Sequence, residues 1–271
     1  MAETNELERR RWNDERWSAA WPKREALTDA VTAFVLDAAA PQPGERVLDV
    51  GCGGGGLSIA AAAAVGVHGA VVGADLSESI SALARRRAEE AGAGNVTIRL
   101  VDMQSDKVSG GPFDVVASQF GVMFFDEPVA AFANIRAHLR PGGRIAFACW
   151  QSLERNPWFV APVIAAFVPP PPAPAPGKSP TGPFTLADVE RTTAILDAAG
   201  FVEIRQAAHE VAVEVPRDAL VDEAQLVFMG VSDERLADAQ AAVDAYMQRF
   251  ALSPAALRLP LAFTVFAAAN P

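Results

Sequence analysis

The stretch Arg46-Val47-Leu48-Asp49-Val50-Gly51-Cys52-Gly53-Gly54-Gly55-Gly56-Leu57 decides the reading of this chain. A short, largely apolar run, Arg46–Val50, leads through Gly51-Cys52 into four consecutive glycines, Gly53–Gly56. An alanine-rich segment, Leu57–Val65, follows with helical character. A strand, a glycine turn and a helix in that order form a ligand-binding context. Glycines turn tightly and let a ligand approach bare backbone. A helix beginning behind them favours the anionic end of that ligand.

Outward from this point, strands and helices alternate. Ala70–Ala74 reads as a second strand, and Ser77 caps a helix running to about Ala91. Asn95–Val101 and Phe113–Ser118 read as the next strands. Pro128–Leu139 is a helix stopped by Pro141-Gly142-Gly143, and Arg144–Cys149 is the fifth strand. Near-continuous apolar strands separated by helices signal a parallel sheet covered on both faces. Right-handed crossovers make that sheet doubly wound and Rossmann-like, an α/β fold. Before it, Trp12 to Ala20 has helical spacing, and Pro22 is read as opening the helix that carries Leu27, Val31, Phe34, Val35 and Ala38. After it, Pro169–Pro176 is proline-rich and extended. Thr185 and Asp188 have capping-box spacing before a helix ending at Gly200. Val202–Val215 and Leu259–Ala268 read as strands that enclose two amphipathic helices.

Three acids stand at strand ends. Asp49 lies two residues ahead of the first glycine. Beside a pyrophosphate it would repel, whereas beside an ammonium or sulfonium it attracts. The glycines alone satisfy G-x-G-x-x-G and leave a nicotinamide dinucleotide open. Asp49 tips the balance toward a cationic amino-acid ligand such as S-adenosylmethionine. Asp75 can accept both ribose hydroxyls of either ligand. Asp102, with Met103 beside it, suits the edge and face of an adenine.

Taken together, Val47–Gly53, Gly73-Ala74-Asp75-Leu76-Ser77, Val101-Asp102-Met103-Gln104, Phe113-Asp114-Val115-Val116 and Leu139–Arg144 resemble the class I S-adenosylmethionine-dependent methyltransferases. The segment Phe120-Gly121-Val122-Met123-Phe124-Phe125 is similar to bacterial small-molecule enzymes related to the ubiquinone/menaquinone C-methyltransferases. The resemblance implies a seven-stranded sheet with its last strand antiparallel. It implies that Asp49, Gly51, Cys52 and Gly53 line the methionyl part of the donor, that Asp75 and Leu76 hold ribose and adenine, that Asp102 and Met103 contact adenine, and that Gln119 faces the methyl donor. Gly54 departs from the Thr or Ser usual at that point and suggests a more mobile loop.

The expected organisation is residues 1–40 as a helical segment closing the site and 41–150 as the cofactor-binding core. Residues 151–271 would complete the sheet, with a helical cap at about 216–257. The expected reaction is in-line transfer of the donor's methyl group to a small molecule. The alternatives are an NAD-dependent oxidoreductase and a non-catalytic cofactor-binding scaffold. The oxidoreductase lacks an evident Tyr-x-x-x-Lys pair, since Tyr246 is the only tyrosine and Phe250 stands four residues on. A substrate pocket is expected from Trp12, Trp17, Trp21, Phe120, Met123 and Phe124, because aromatic faces attract cations and cover apolar ligands. His209 is a candidate base, ahead of His68 and His138; the catalytic residue is otherwise unassigned.

Net charge is −10 and the isoelectric point about 4.8. A nucleic-acid partner is not expected from this balance. Arg9–Arg11 and Arg85–Arg87 read as solvated helix faces. Two cysteines, Cys52 and Cys149, form neither a disulfide framework nor a metal-ligand pattern. The charged N-terminus and the lack of a long apolar run suggest a cytoplasmic protein without a membrane partner. A homodimer is compatible with these features.

Overall fold

The computed structural model describes residues 6–170, 179–220 and 222–271, with the side chains of residues 6, 7 and 16–18 excepted. The proline-rich stretch therefore lies almost wholly outside the described residues, as does the side chain of Trp17.

The elements run in chain order as α1 (Glu6–Trp12), α2 (Glu15–Glu25), α3 (Asp29–Ala39), β1 (Arg46–Val50), α4 (Gly56–Val65), β2 (Ala70–Asp75), α5 (Glu78–Glu90), β3 (Val96–Leu100), β4 (Phe113–Gln119), α6 (Pro128–His138), β5 (Leu139–Trp150), α7 (Ala161–Ile164), α8 (Val189–Ala198), β6 (Val202–Pro216), α9 (Glu223–Phe228), α10 (Leu236–Met247), β7 (Ala251–Ser253) and β8 (Ala256–Ala269). The sheet has the order β3-β2-β1-β4-β5-β8-β6, with the short β7 on β8. Strands β1 to β5 are parallel, whereas β8 is antiparallel to both β5 and β6. The seven-stranded sheet with an antiparallel last strand is thus present, and β7 is an addition to it.

The order reverses between β2-β1 and β4-β5. The carboxyl ends of β1 and β4 therefore part there and leave a crevice, the usual ligand position in open α/β sheets. β1 and β4 are buried on both faces, with Val47, Leu48, Val115 and Val116 nearly inaccessible. Helix α3 seals one face through Val31, Val35 and Ala39, each at most 1% exposed. The hairpin of β6 and β8 extends beyond the sheet and returns through α9 and α10, which occupy the interval expected for a cap. Leu226, Ala239, Val243 and Met247 give these two helices their own buried face.

Three local expectations need correction. Pro22 does not open α3; it lies inside α2, exposed, where the helix forfeits one backbone bond. Thr185 does not cap α8. Asp188 does so, accepting from the Arg191 N–H at 3.0 Å, while the Thr185 hydroxyl donates to the Met123 carbonyl. Pro141-Gly142-Gly143 is not a free turn. It is drawn into β5 because Gly142 N–H donates to Asn270 O and Asn270 N–H to Gly143 O.

Candidate active site

Asp49 ends β1 beneath the glycine loop and is 1% exposed. Its Oδ2 accepts the Ser58 hydroxyl at 2.6 Å, and its Oδ1 has no partner among the described residues. Burial pushes its pKa up to about 7; the Ser58 bond opposes this, and the charges of Asp75 and Glu25 add to it. Ser58 was not anticipated. Its signal was present, since it is the one polar side chain in an otherwise apolar α4.

The loop differs from expectation in what its backbone offers. Gly51 and Cys52 both donate to the Ala74 carbonyl, at 2.8 and 3.1 Å. Gly53 N–H donates to Asp75 Oδ2 at 2.9 Å, and Gly55 N–H to the Cys52 carbonyl. These four donors are spent inside the protein. A pyrophosphate depends on free loop N–H groups. What remains toward the crevice is a half-satisfied carboxylate, which suits a cation.

Gly51 and Gly53 have left-handed φ values of 68° and 53°. A Cβ on Gly51 would lie 2.7 Å from Gly121 Cα, so the loops after β1 and β4 touch backbone to backbone. Gly121 is a second residue that sequence reasoning missed. Phe120, just before it, holds a φ of 63°, which is uncommon for a side chain of this size. Its ring stacks on Trp150 at 3.9 Å.

Asp75 is fixed by two backbone bonds, from Gly53 N–H and Ser77 N–H, and burial raises its pKa. Each carboxylate oxygen keeps a second lone pair. Asp102 is 2% exposed, with Oδ1 accepting from Gln104 N–H and Oδ2 facing Arg9 Nη2 at 3.7 Å. Met103 is buried beside it. Leu76 is half-buried, and its carbonyl accepts from Asn13. Gln119 is held by helix α3 and its lead-in: its amide donates to Thr28 O and accepts from Thr32 Oγ1.

The aromatic residues divide into two groups. Trp12 meets Trp21, Phe124 and Phe228 at centroid distances of 5.9, 5.0 and 5.6 Å. Phe120 belongs instead with Trp150, Phe263, Phe34 and His209. Met123 is 1% exposed in the core. The His209 ring packs on Phe34 and Phe263, and no described residue hydrogen-bonds to it. The His138 ring is held at both nitrogens, since Val108 N–H donates to Nε2 and Nδ1 lies 2.8 Å from the Asn134 carbonyl. His68 is exposed in a loop.

Arg10, Arg85 and Arg86 are exposed. Arg9, Arg11 and Arg87 are partly buried. Arg87 pairs with Glu25 and reaches the Gly54 carbonyl. A side chain at Gly54 would have to displace the ends of Arg87 and Glu25, so the glycine there makes room for this pair.

No helix among the described residues is long and apolar enough to cross a membrane. Residues 47–143 match the family described as a methyltransferase domain. Nocamycin O-methyltransferase of Saccharothrix syringae is 34% identical over 206 residues, covering 70% of this chain and 71% of that enzyme. Aklanonic acid methyltransferase of a Streptomyces species is 37% identical over 113 residues, covering 42% and 51% of the two chains. The fold is shared with the YcgJ protein of Bacillus subtilis (TM-score 0.59, 15% identity, 89% and 98% coverage). It is also shared with phosphoethanolamine N-methyltransferase 2 of Haemonchus contortus, solved with S-adenosylmethionine (TM-score 0.55, 18% identity, 89% and 52% coverage). The chain belongs to the S-adenosylmethionine-dependent methyltransferases.

Proposed function

We propose that this enzyme transfers the methyl group of S-adenosylmethionine to a small, partly apolar acceptor bound between the core and the cap. The observation that carries the donor assignment is Asp49, a buried carboxylate with one unpartnered oxygen beneath a loop in which the Gly51, Cys52, Gly53 and Gly55 N–H groups are already used. When bound, the donor supplies a methyl group on a positively charged sulfur, already activated for in-line displacement.

The chain's own part is positioning. Asp49 would take the donor's ammonium. Asp75, with one lone pair left on each oxygen, would accept the ribose hydroxyls. Asp102 would accept from the adenine amine, with Met103 and Leu76 against the ring. Gly51, Cys52 and Gly53 would form the floor. Gln119, anchored on Thr28 and Thr32, fixes helix α3 against the end of β4 and would sit beside the transferred methyl. Residues 41–150 would thus be the donor-binding core, as the sequence suggests. Of residues 1–40, α1 and α2 form the cover, whereas α3 belongs with the sheet.

Acceptor chemistry is supported by the relatives' names, which specify nocamycin and aklanonic acid. It is also supported by the ring cluster of Trp12, Phe124 and Phe228, which joins the cover, the loop after β4 and the cap. Such a wall excludes water and holds a flat acceptor in line with the donor. His209, enclosed by Phe34 and Phe263, is better suited to packing than to proton transfer. The net charge of −10 supports a small-molecule acceptor over a nucleic acid.

Calorimetry with S-adenosylmethionine, S-adenosylhomocysteine and NAD tests the donor. Binding of the first two but not NAD is expected. Asp49→Asn should cost roughly 1.5–3 kcal/mol in affinity, the range for a hydrogen bond to a charged group. Binding of NAD alone would overturn the proposal. S-adenosylhomocysteine release with a panel of aromatic acids and phenols then reads acceptor choice.

A further inference from the structure

We infer that α1 and α2 act as a built-in competitor of the methyl donor, a strap that covers the donor's contact residues and must unlatch from the cap before the donor enters. The inference rests on the assignment of Asp49, Gly53 and Asp102 to the donor.

Three groups of the strap meet that site. Trp21 lies on Gly53 so closely that a Cβ there would be 2.9 Å from its Cζ2. A ligand reaching the Gly53 backbone must displace this ring. Arg9 reaches Asp102 Oδ2 at 3.7 Å, where its guanidinium takes the place of an amine donor. Glu25 pairs with Arg87 against the outer side of the loop, beside Gly54 and Gly56. An aromatic ring, a cationic donor group and a carboxylate are also the chemical parts of the donor. Their exchange for the donor therefore replaces like contacts with like, so a state that is mostly covered without the donor still gives way when the donor binds.

The strap has a hinge and a latch. The hinge is the break between α2 and α3, where Leu27 and Thr28 close single turns on Arg24 and Glu25. Beyond it Leu27 and Val31 are buried in the core and hold α3 in place. The latch is Arg24, 8% exposed, paired with Asp222 and Gln225 of the cap. Asp222 is itself held as the N-cap of α9, accepting from Gln225 N–H at 2.8 Å. Lys23 pairs with Asp218 at 2.5 Å on the surface nearby. Trp12 on Phe228 adds an apolar contact to the same junction. A buried pair that loses one partner leaves a costly charge behind, so this junction opens or closes as a unit.

The opposite behaviour is a cover that folds onto the donor after it binds, with Trp21 against the sulfonium. Hydrogen exchange on the full-length protein separates the two. With a built-in competitor, S-adenosylhomocysteine slows exchange over residues 46–60 and accelerates it over residues 8–25. A cover that closes on the donor slows both segments, and that result overturns the inference. Arg9→Gln and Arg24→Gln provide the kinetic arm, the first at the site and the second at the latch. Each should raise the association rate of S-adenosylhomocysteine at least about tenfold, by relieving a mostly covered state. Unchanged or slower association in both folded variants overturns it. If neither wild type nor variants bind S-adenosylhomocysteine or S-adenosylmethionine, the donor assignment fails, and that failure is seen directly in the wild-type titration.

Discussion

Asp49 concentrates the chemistry of the site in one carboxyl group. Burial raises its pKa to about 7, above the unfolded value, so the native state retains a proton that the unfolded chain has lost. That contribution to stability is fully present below about pH 4 and is lost as pH rises through about 7. A cationic donor reverses the preference by stabilising the carboxylate. Donor binding at pH 6 should therefore release about one proton, and at pH 8.5 almost none. Calorimetry in buffers of different ionisation enthalpy measures this, and Asp49→Asn should abolish the difference. Equal proton release at both pH values would show that Asp49 is not the linked group. Gly121 is constrained by shape alone. A Cβ there would lie 2.6 Å from Val50 O and 2.8 Å from Gly51 Cα, both backbone atoms with little room to yield. Gly121→Ala should destabilise the fold by about 1–3 kcal/mol, as overpacking does. It should also weaken donor binding by tilting the loop; a urea titration and a binding isotherm read the two effects. These residues were unequally legible. Asp49 announces itself by its place before the glycines. Gly121 is one glycine in an apolar run, and its partner lies seventy residues earlier in the chain.

At the scale of elements, the sheet was readable because each strand is a short apolar run bounded by turn residues, and each helix carries its own period. The helix of Ser77 followed from a local cap: its hydroxyl accepts from Ile80 N–H, as an N-cap should. Where two local signals competed, the structure chose between them. Thr185 and Asp188 both qualify as caps by residue type. Asp188 caps α8 because Thr185 is taken by the Met123 carbonyl, on a segment remote in sequence. Asp188→Ala should lower stability by about 1 kcal/mol, the usual cost of losing a capping side chain. A urea midpoint unchanged from wild type would place the capping elsewhere. The helix over residues 15–25 shows the reverse case. Proline marks a helix start by local rule, yet α2 continues through Pro22. Trp21 and Arg24 on either side of it are engaged by the glycine loop and by α9, and those contacts outweigh one missing backbone bond.

At the scale of the whole molecule, α1 and α2, the loop after β4 and α9 meet over one edge of one sheet, although they come from residues 6–25, 120–125 and 223–228. The basic clusters illustrate how little of this is local. Arg9–Arg11 and Arg85–Arg87 have the composition of solvated faces, yet only Arg10 of the first cluster and Arg85 and Arg86 of the second are exposed. The other residues face carboxylates or rings that the sequence places far away: Asp102 for Arg9, Phe228 for Arg11 and Glu25 for Arg87. By itself the sequence determined the α/β class, the strand–glycine–helix motif, the acids at the strand ends and the family, since each depends on residues close in the chain or on their order along it. The tertiary structure alone decided which loop N–H groups are spent, that one Asp49 oxygen has no partner among the described residues, and that α2 lies against the glycine loop and pairs with the start of α9. Those features depend on distances between segments, and local patterning carries no information about them.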